Sequence, residues 1–197
     1  MELTRDFLSA EGVEWFDAQS ESDVIKVLQK LDKEGHMDWA NWFIVRNMTK
    51  KQCISYAIFA AAQVIDIYEK RYPDDNRPRQ AIDAAKKYLK YPSRKNAAAA
   101  HSAADKAASA YYLAHPAHPE CYAYIAAAAS YAAAAPYSTS APYSAAHSAA
   151  DAWASKLSWV RYPNYAVGLF VYYADAKKKM QRKILNYGIK LIRGGIK

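Results

Sequence analysis

His101 and Asp105 lie four residues apart, and so do His147 and Asp151. Each pair belongs to the same heptapeptide, Ala-Ala-His-Ser-Ala-Ala-Asp, which begins at Ala99 and again at Ala145. On a helix such a spacing puts both side chains on one face, where the carboxylate can orient the imidazole. If the two helices face each other, two imidazoles and two carboxylates converge, a donor set that suits Zn²⁺, Mn²⁺ or Fe. The set is incomplete for a metal, because it lacks a Glu-x-x-His partner and a third helix offering acids. No metal and no cofactor are therefore expected. Two readings stand: structural pairing within each helix, or a polar pocket for a ligand or partner.

A second concentration of chemistry lies in the charged loop from Arg71 to Ile82, which holds Asp74, Asp75, Arg77 and Arg79. A turn needs only Gly, Pro, Asn or Asp, so arginines beside paired aspartates ask for more. In one reading Asp75 or Asn76 caps the helix led by Arg77-Pro78, and Arg77 forks onto a carboxylate from another helix. In the other, arginines at a helix N-terminus form an anion- or partner-binding corner. Trp39 and Trp42, with Phe43 next, are either core or an exposed aromatic anchor. The tyrosines of the alanine-rich half fill space between alanines or line a polar groove. Catalysis gains no support: there is no Gly-x-Ser-x-Gly, and with six glycines in 197 residues a phosphate loop is not expected.

The net charge of +8 is unevenly placed. From Ala176 onward there are eight Lys or Arg and no acid, and the remaining 19 basic residues balance the 19 acidic ones. Lys177, Lys178, Lys179, Arg182 and Lys183 open this basic end. It is either a solvated face that complements a helix C-terminus or a surface for nucleic acid or another anionic partner. Cys53 and Cys121 are far apart and form no Cys-x-x-Cys, so two buried free thiols are expected. The first residues lack the basic and apolar regions of a signal peptide, and no long uncharged apolar run reads as a membrane span. A cytoplasmic protein is the expectation, in the host cytoplasm if a phage encodes it.

These groups must be positioned by helices, since strand signals are almost absent. Ser20 to Asp23 offers a capping serine before a helix that Gly35 stops; Met37 to Met48 forms the next. Thr49-Lys50-Lys51-Gln52 reads as a capping box opening one long helix through Ile54, Ile58, Val64, Ile65 and Tyr68. Pro78 suits the first turn of the following helix, which runs to about Tyr91. Residues 96–155 are dominated by alanine, the best helix former, whose methyl groups let helix axes approach closely. Breaks are expected at His115 to Pro119 and Pro136 to Pro142, with a helix over Cys121 to Ala135 between them. The last helix starts near Asn164 and stops at Gly194-Gly195. The expected fold is an all-α, compact alanine-rich multi-helix bundle. Residues 1–48 would form a small N-terminal helical subdomain, 49–163 the bundle, and 164–197 a long basic helix packed on it.

Three stretches carry a resemblance: Asp38 to Trp42, Tyr56 to Ala61, and Tyr72-Pro73-Asp74-Asp75-Asn76-Arg77-Pro78-Arg79-Gln80-Ala81-Ile82-Asp83-Ala84. With the Ala-His-Ser-Ala-Ala helices after them, residues 36–160 resemble a family of predicted immunity proteins of bacterial polymorphic-toxin systems, phages and prophages. The resemblance implies an all-α protein without catalysis that binds and neutralises a protein antagonist, either a toxin or a host defence effector. Its recognition surface would be the Arg77 corner, the His101 and His147 faces and the basic end, whose residues from Ala176 lie outside the family pattern. The alternatives are a sponge that sequesters an anionic signalling nucleotide, and sequence-independent nucleic-acid binding through the C-terminal helix. Association into a homo-oligomer is compatible with each.

Overall fold

The computed structural model describes residues 9–113, 128, 131, 133, 140–161 and 166–194. Among them are nine helices and no strand: α1 (Ala10–Asp17), α2 (Val24–Glu34), α3 (Met37–Arg46), α4 (Lys50–Ala62), α5 (Ile65–Arg71), α6 (Arg77–Lys90), α7 (Arg94–Leu113), α8 (Ser140–Arg161) and α9 (Ala166–Ile192). The expected all-α bundle is thus the observed one. Cys121, the break at His115 to Pro119 and the helix expected over Cys121 to Ala135 lie outside the described residues. Pro142 sits in the first turn of α8, where a missing N–H costs no intrahelical bond.

Local chemistry sets most of the boundaries. Asp23, not Ser20, caps α2: its carboxylate accepts from the Ile25 and Lys26 amides at 2.8 and 3.1 Å. A carboxylate at the positive end of a helix does this better than a hydroxyl three residues too early. Gly35 ends α2 at φ 88°, a left-handed conformation that other residues adopt only with strain, and the His36 amide returns to the Leu31 carbonyl. Thr49 and Gln52 close the expected capping box of α4. The single helix expected from Thr49 to Tyr68 is instead two. The Gln63 and Val64 amides reach back three residues, to Ala60 and Ala61, and the α-helical bonding is interrupted before α5. Two adjacent β-branched residues, Val64 and Ile65, are poor helix continuers, and the break turns both inward to 0% and 2% exposure.

α4 is the central element, carrying buried residues on several sides and packing on α6, α8 and α9. Helix α3 packs on α2, α8 and α9, and α8 lies along α9. The alanine seams are real. Ala81 and Ala85 of α6, with Ala100, Ala104 and Ala107 of α7, are all fully enclosed where the two helices form a hairpin across Tyr91 to Ser93. On α8, Ala145, Ala149, Ala150 and Ala154 are equally enclosed. Larger side chains, Leu28, Leu31, Trp42, Ile44, Ile54, Tyr56 and Ile184, fill the centre.

Candidate functional site

The Arg71–Ile82 corner is built on α5 and α6. Asp75 is its hub: one carboxylate oxygen accepts from the Arg77 amide and Nε at 3.1 and 2.8 Å, and the other from Arg77 Nη2 and the Tyr68 hydroxyl, each at 2.6 Å. The guanidinium of Arg77, helped by Tyr68, holds this carboxyl at about 2. Burial and the neighbouring carboxylate raise the Tyr68 phenol. Arg79 forks onto Glu69 at 2.7 and 2.6 Å and reaches Asp66 at 3.3 Å, tying α6 to α5. Asn76 sits at the cap position but makes no side-chain cap bond. The expected fork from Arg77 onto another helix is therefore a local one, onto a residue two positions away. Both guanidiniums are already spent on carboxylates, so the geometry is that of a self-satisfied brace; Asp74 stands exposed beside it.

The two His–Asp pairs form as the spacing requires, and each finds its remaining partners separately. On α7, His101 Nδ1 is 3.1 Å from Asp105 Oδ2, and Tyr131 donates its hydroxyl to the other oxygen at 2.6 Å. That pair is exposed, and the Tyr131 bond holds the Asp105 carboxyl below the usual range. On α8, His147 lies between two carboxylates: Nδ1 is 3.1 Å from Asp38 of α3, and Nε2 is 3.2 Å from Asp151. Both ring nitrogens can donate only in the imidazolium, and the Asp38 bond raises the His147 pKa while lowering that of Asp38. Gln181 also donates to Asp38 at 2.8 Å, and Tyr173 and Lys177 of α9 reach Asp151 at 2.8 Å. Sequence reasoning missed Asp38 because it lies 109 residues from its partner. Among the described residues no group of three or more His, Cys, Asp or Glu is placed to hold a metal ion.

The remaining candidates divide by exposure. Trp42 is 2% exposed, with Phe16 packed against its ring and the Arg46 guanidinium 4.0 Å over its face, so it is core and not a surface anchor. Trp39 is half-buried and stacks on His36 at 4.0 Å. The basic end is not a uniform stripe. Lys177 is bound to Asp151, and Arg182 grips Asp32 of α2 through Nε at 2.8 Å and Nη2 at 2.7 Å. Lys178, Lys179 and Lys183 face outward. Cys53 is a buried free thiol, and burial pushes its pKa up to about 11, which disfavours the thiolate.

A further concavity lies elsewhere, a groove of about 690 Å³ between α4, α6 and the end of α9. Its floor is Ile58, Phe59, Leu89, Tyr187 and Leu191, with Phe59 and Tyr187 stacked face to face at 4.0 Å. Lys51, Lys86 and Lys90 stand on its rim, and no acid lines it. It is an open apolar groove, not a chamber walled by Tyr and His of the kind a nucleotide sponge requires. Three helices distant in sequence build it, so no short motif could have revealed it. No helix among the described residues is long and apolar enough to cross a membrane.

Residues 44–115 match the model of a family described as "Imm-5 like putative immunity protein". The match covers α4 to α7 and contains both the Arg77 brace and the first His–Asp pair. No curated protein and no solved structure matches the chain. The match takes in two of the motif stretches, Tyr56 to Ala61 and Tyr72 to Ala84, while Asp38 to Trp42 and the second Ala-His-Ser-Ala-Ala helix lie outside it; residues 44–115 are similar to this immunity-protein-like family.

Proposed function

We propose that this protein neutralises a protein toxin by binding it, without catalysis. The observation that carries the reading is the family match over residues 44–115. The physics supports it. A helical body with alanine-packed seams is rigid, and a rigid surface loses little conformational freedom on association. Inside the matched segment Arg77 and Arg79 brace α5 and α6 by pairing with nearby carboxylates, and no metal-binding group is found among the described residues. Neutralisation then requires a stable complex, burying roughly 1,200–2,000 Å² in total.

Co-expression with a panel of bacterial polymorphic-toxin domains tests the reading. Cells that die with one of these toxins alone should grow when this chain is present, and the two proteins should elute together in gel filtration. Continued killing by every toxin of the panel, with the chain folded and the proteins eluting apart, would refute neutralisation by binding.

A further inference from the structure

We infer that the groove between α4, α6 and α9 is the docking site for an acidic amphipathic helix of the toxin, a proposal that rests on the neutralisation reading above. The floor offers five bulky apolar side chains, among them the stacked Phe59 and Tyr187, in a space of about 690 Å³. Helix-in-groove recognition uses such a surface, with anchors at i, i+3, i+4 and i+7.

The polar groups of the groove select the class of occupant. Gln52 donates to the Leu191 carbonyl at 2.8 Å and accepts from the Thr49 amide at 2.8 Å; Ser55 donates to the Lys51 carbonyl at 3.0 Å. With these engaged, the apolar floor presents no ladder of backbone groups for an extended segment, and a helix satisfies its own N–H and C=O groups.

Charge selects the sign. Lys51, Lys86 and Lys90 are exposed around an apolar floor with no lining acid. Lys86 touches Asp83 at 3.3 Å, an exposed pair a partner carboxylate can replace. Lys90 lies over the ring of Tyr91, an exposed large hydrophobic side chain, which extends the surface beyond the rim. Basic rim and apolar floor complement a helix with Leu or Phe on one face and Glu or Asp flanking it.

Fluorescence anisotropy with a labelled peptide of about 15 residues, long enough to form a helix, tests this on the full chain. The peptide carries Leu and Phe at i, i+3, i+4 and i+7 with Glu flanking them. A version with Lys for Glu, another with Ser for the apolar residues, and a single-stranded RNA of equal charge serve as comparisons. The acidic amphipathic peptide should bind saturably, and the Lys and Ser versions should not. The triple variant K51E/K86E/K90E should weaken binding roughly tenfold, as three exposed ion pairs allow. The same variant should lose growth rescue, while K179E/K183E keeps both. No saturable binding, equal binding by the triple variant, or stronger binding of the RNA would overturn the inference. Rescue retained by the triple variant would also overturn it and leave neutralisation standing; absence of rescue by the unaltered chain would remove neutralisation itself. Thermal melts confirm that each variant is folded.

Discussion

Single residues here are held by partners that the chain brings from afar. Asn41, the one buried polar side chain among the described residues, donates to the Tyr143 carbonyl at 3.1 Å and accepts from the Tyr56 hydroxyl at 2.9 Å. Tyr56→Phe strands the Asn41 oxygen in the core and should cost about 1–3 kcal/mol, read as a lower urea midpoint with unchanged slope. His147 makes stability depend on pH. Asp38 is its main support, and Asp151 adds to it. Lys177 and burial oppose it, and Gln181 and Tyr143 complete its surroundings. Its folded pKa is raised, so its contribution is complete below the unfolded value near 6.5 and fades as pH climbs through the folded one. The melting temperature should therefore fall between pH 6 and pH 8.5. Asp38→Asn should flatten that fall, and an equal slope in both proteins would show that the bridge carries no linkage. The His147–Asp151 spacing was legible in the sequence. Asp38 was not, because a contact between residues so far apart leaves no local pattern.

Among the elements, α9 meets α3 and α4 closely at Gly188. A Cβ there would stand 2.6 Å from Ile44 Cδ1, 2.8 Å from Tyr56 Cε2 and 2.9 Å from Met48 Cε. The Tyr56 ring is fixed by its bond to Asn41 and cannot retreat. Alanine would gain up to about 1 kcal/mol in helix propensity, but overpacking a filled core costs about 1–3 kcal/mol. Gly188→Ala should thus destabilise by roughly 1–2 kcal/mol in chemical denaturation; a stabilised variant would mean that α9 does not seat against α3 and α4. Helix identities follow from alanine content, the Thr49–Gln52 box and the left-handed Gly35, which act within a few residues. The break between α4 and α5 could not be read the same way. Val64 and Ile65 belong to an apolar pattern that reads as one helix; their β-branched side chains weaken it locally, and their burial in the core goes with the break.

The whole molecule treats its basic end as structure. Met180, Ile184, Leu185 and Leu191 of α9 are buried, at 1–5% exposure, while Lys179 and Lys183 face water. Removing residues 177–197 should therefore abolish the cooperative melt and not merely a surface charge. Four such side chains contribute on the order of 6–12 kcal/mol, against about 5–15 kcal/mol for a whole domain. A truncated chain that still melts sharply would make the end a detachable tail. By itself the sequence determined the all-α class, the alanine seams, most helix ends and the pairing of His101 with Asp105, because propensity, capping and i,i+4 geometry are local. The tertiary structure alone decided that Arg77 and Arg79 are spent on nearby carboxylates, that Trp42 is core, and that an apolar groove with a lysine rim opens between α4, α6 and α9. A charge is available to a partner only if nothing in the fold neutralises it, and a surface exists only where separate segments meet. Both depend on distances that chain order does not encode.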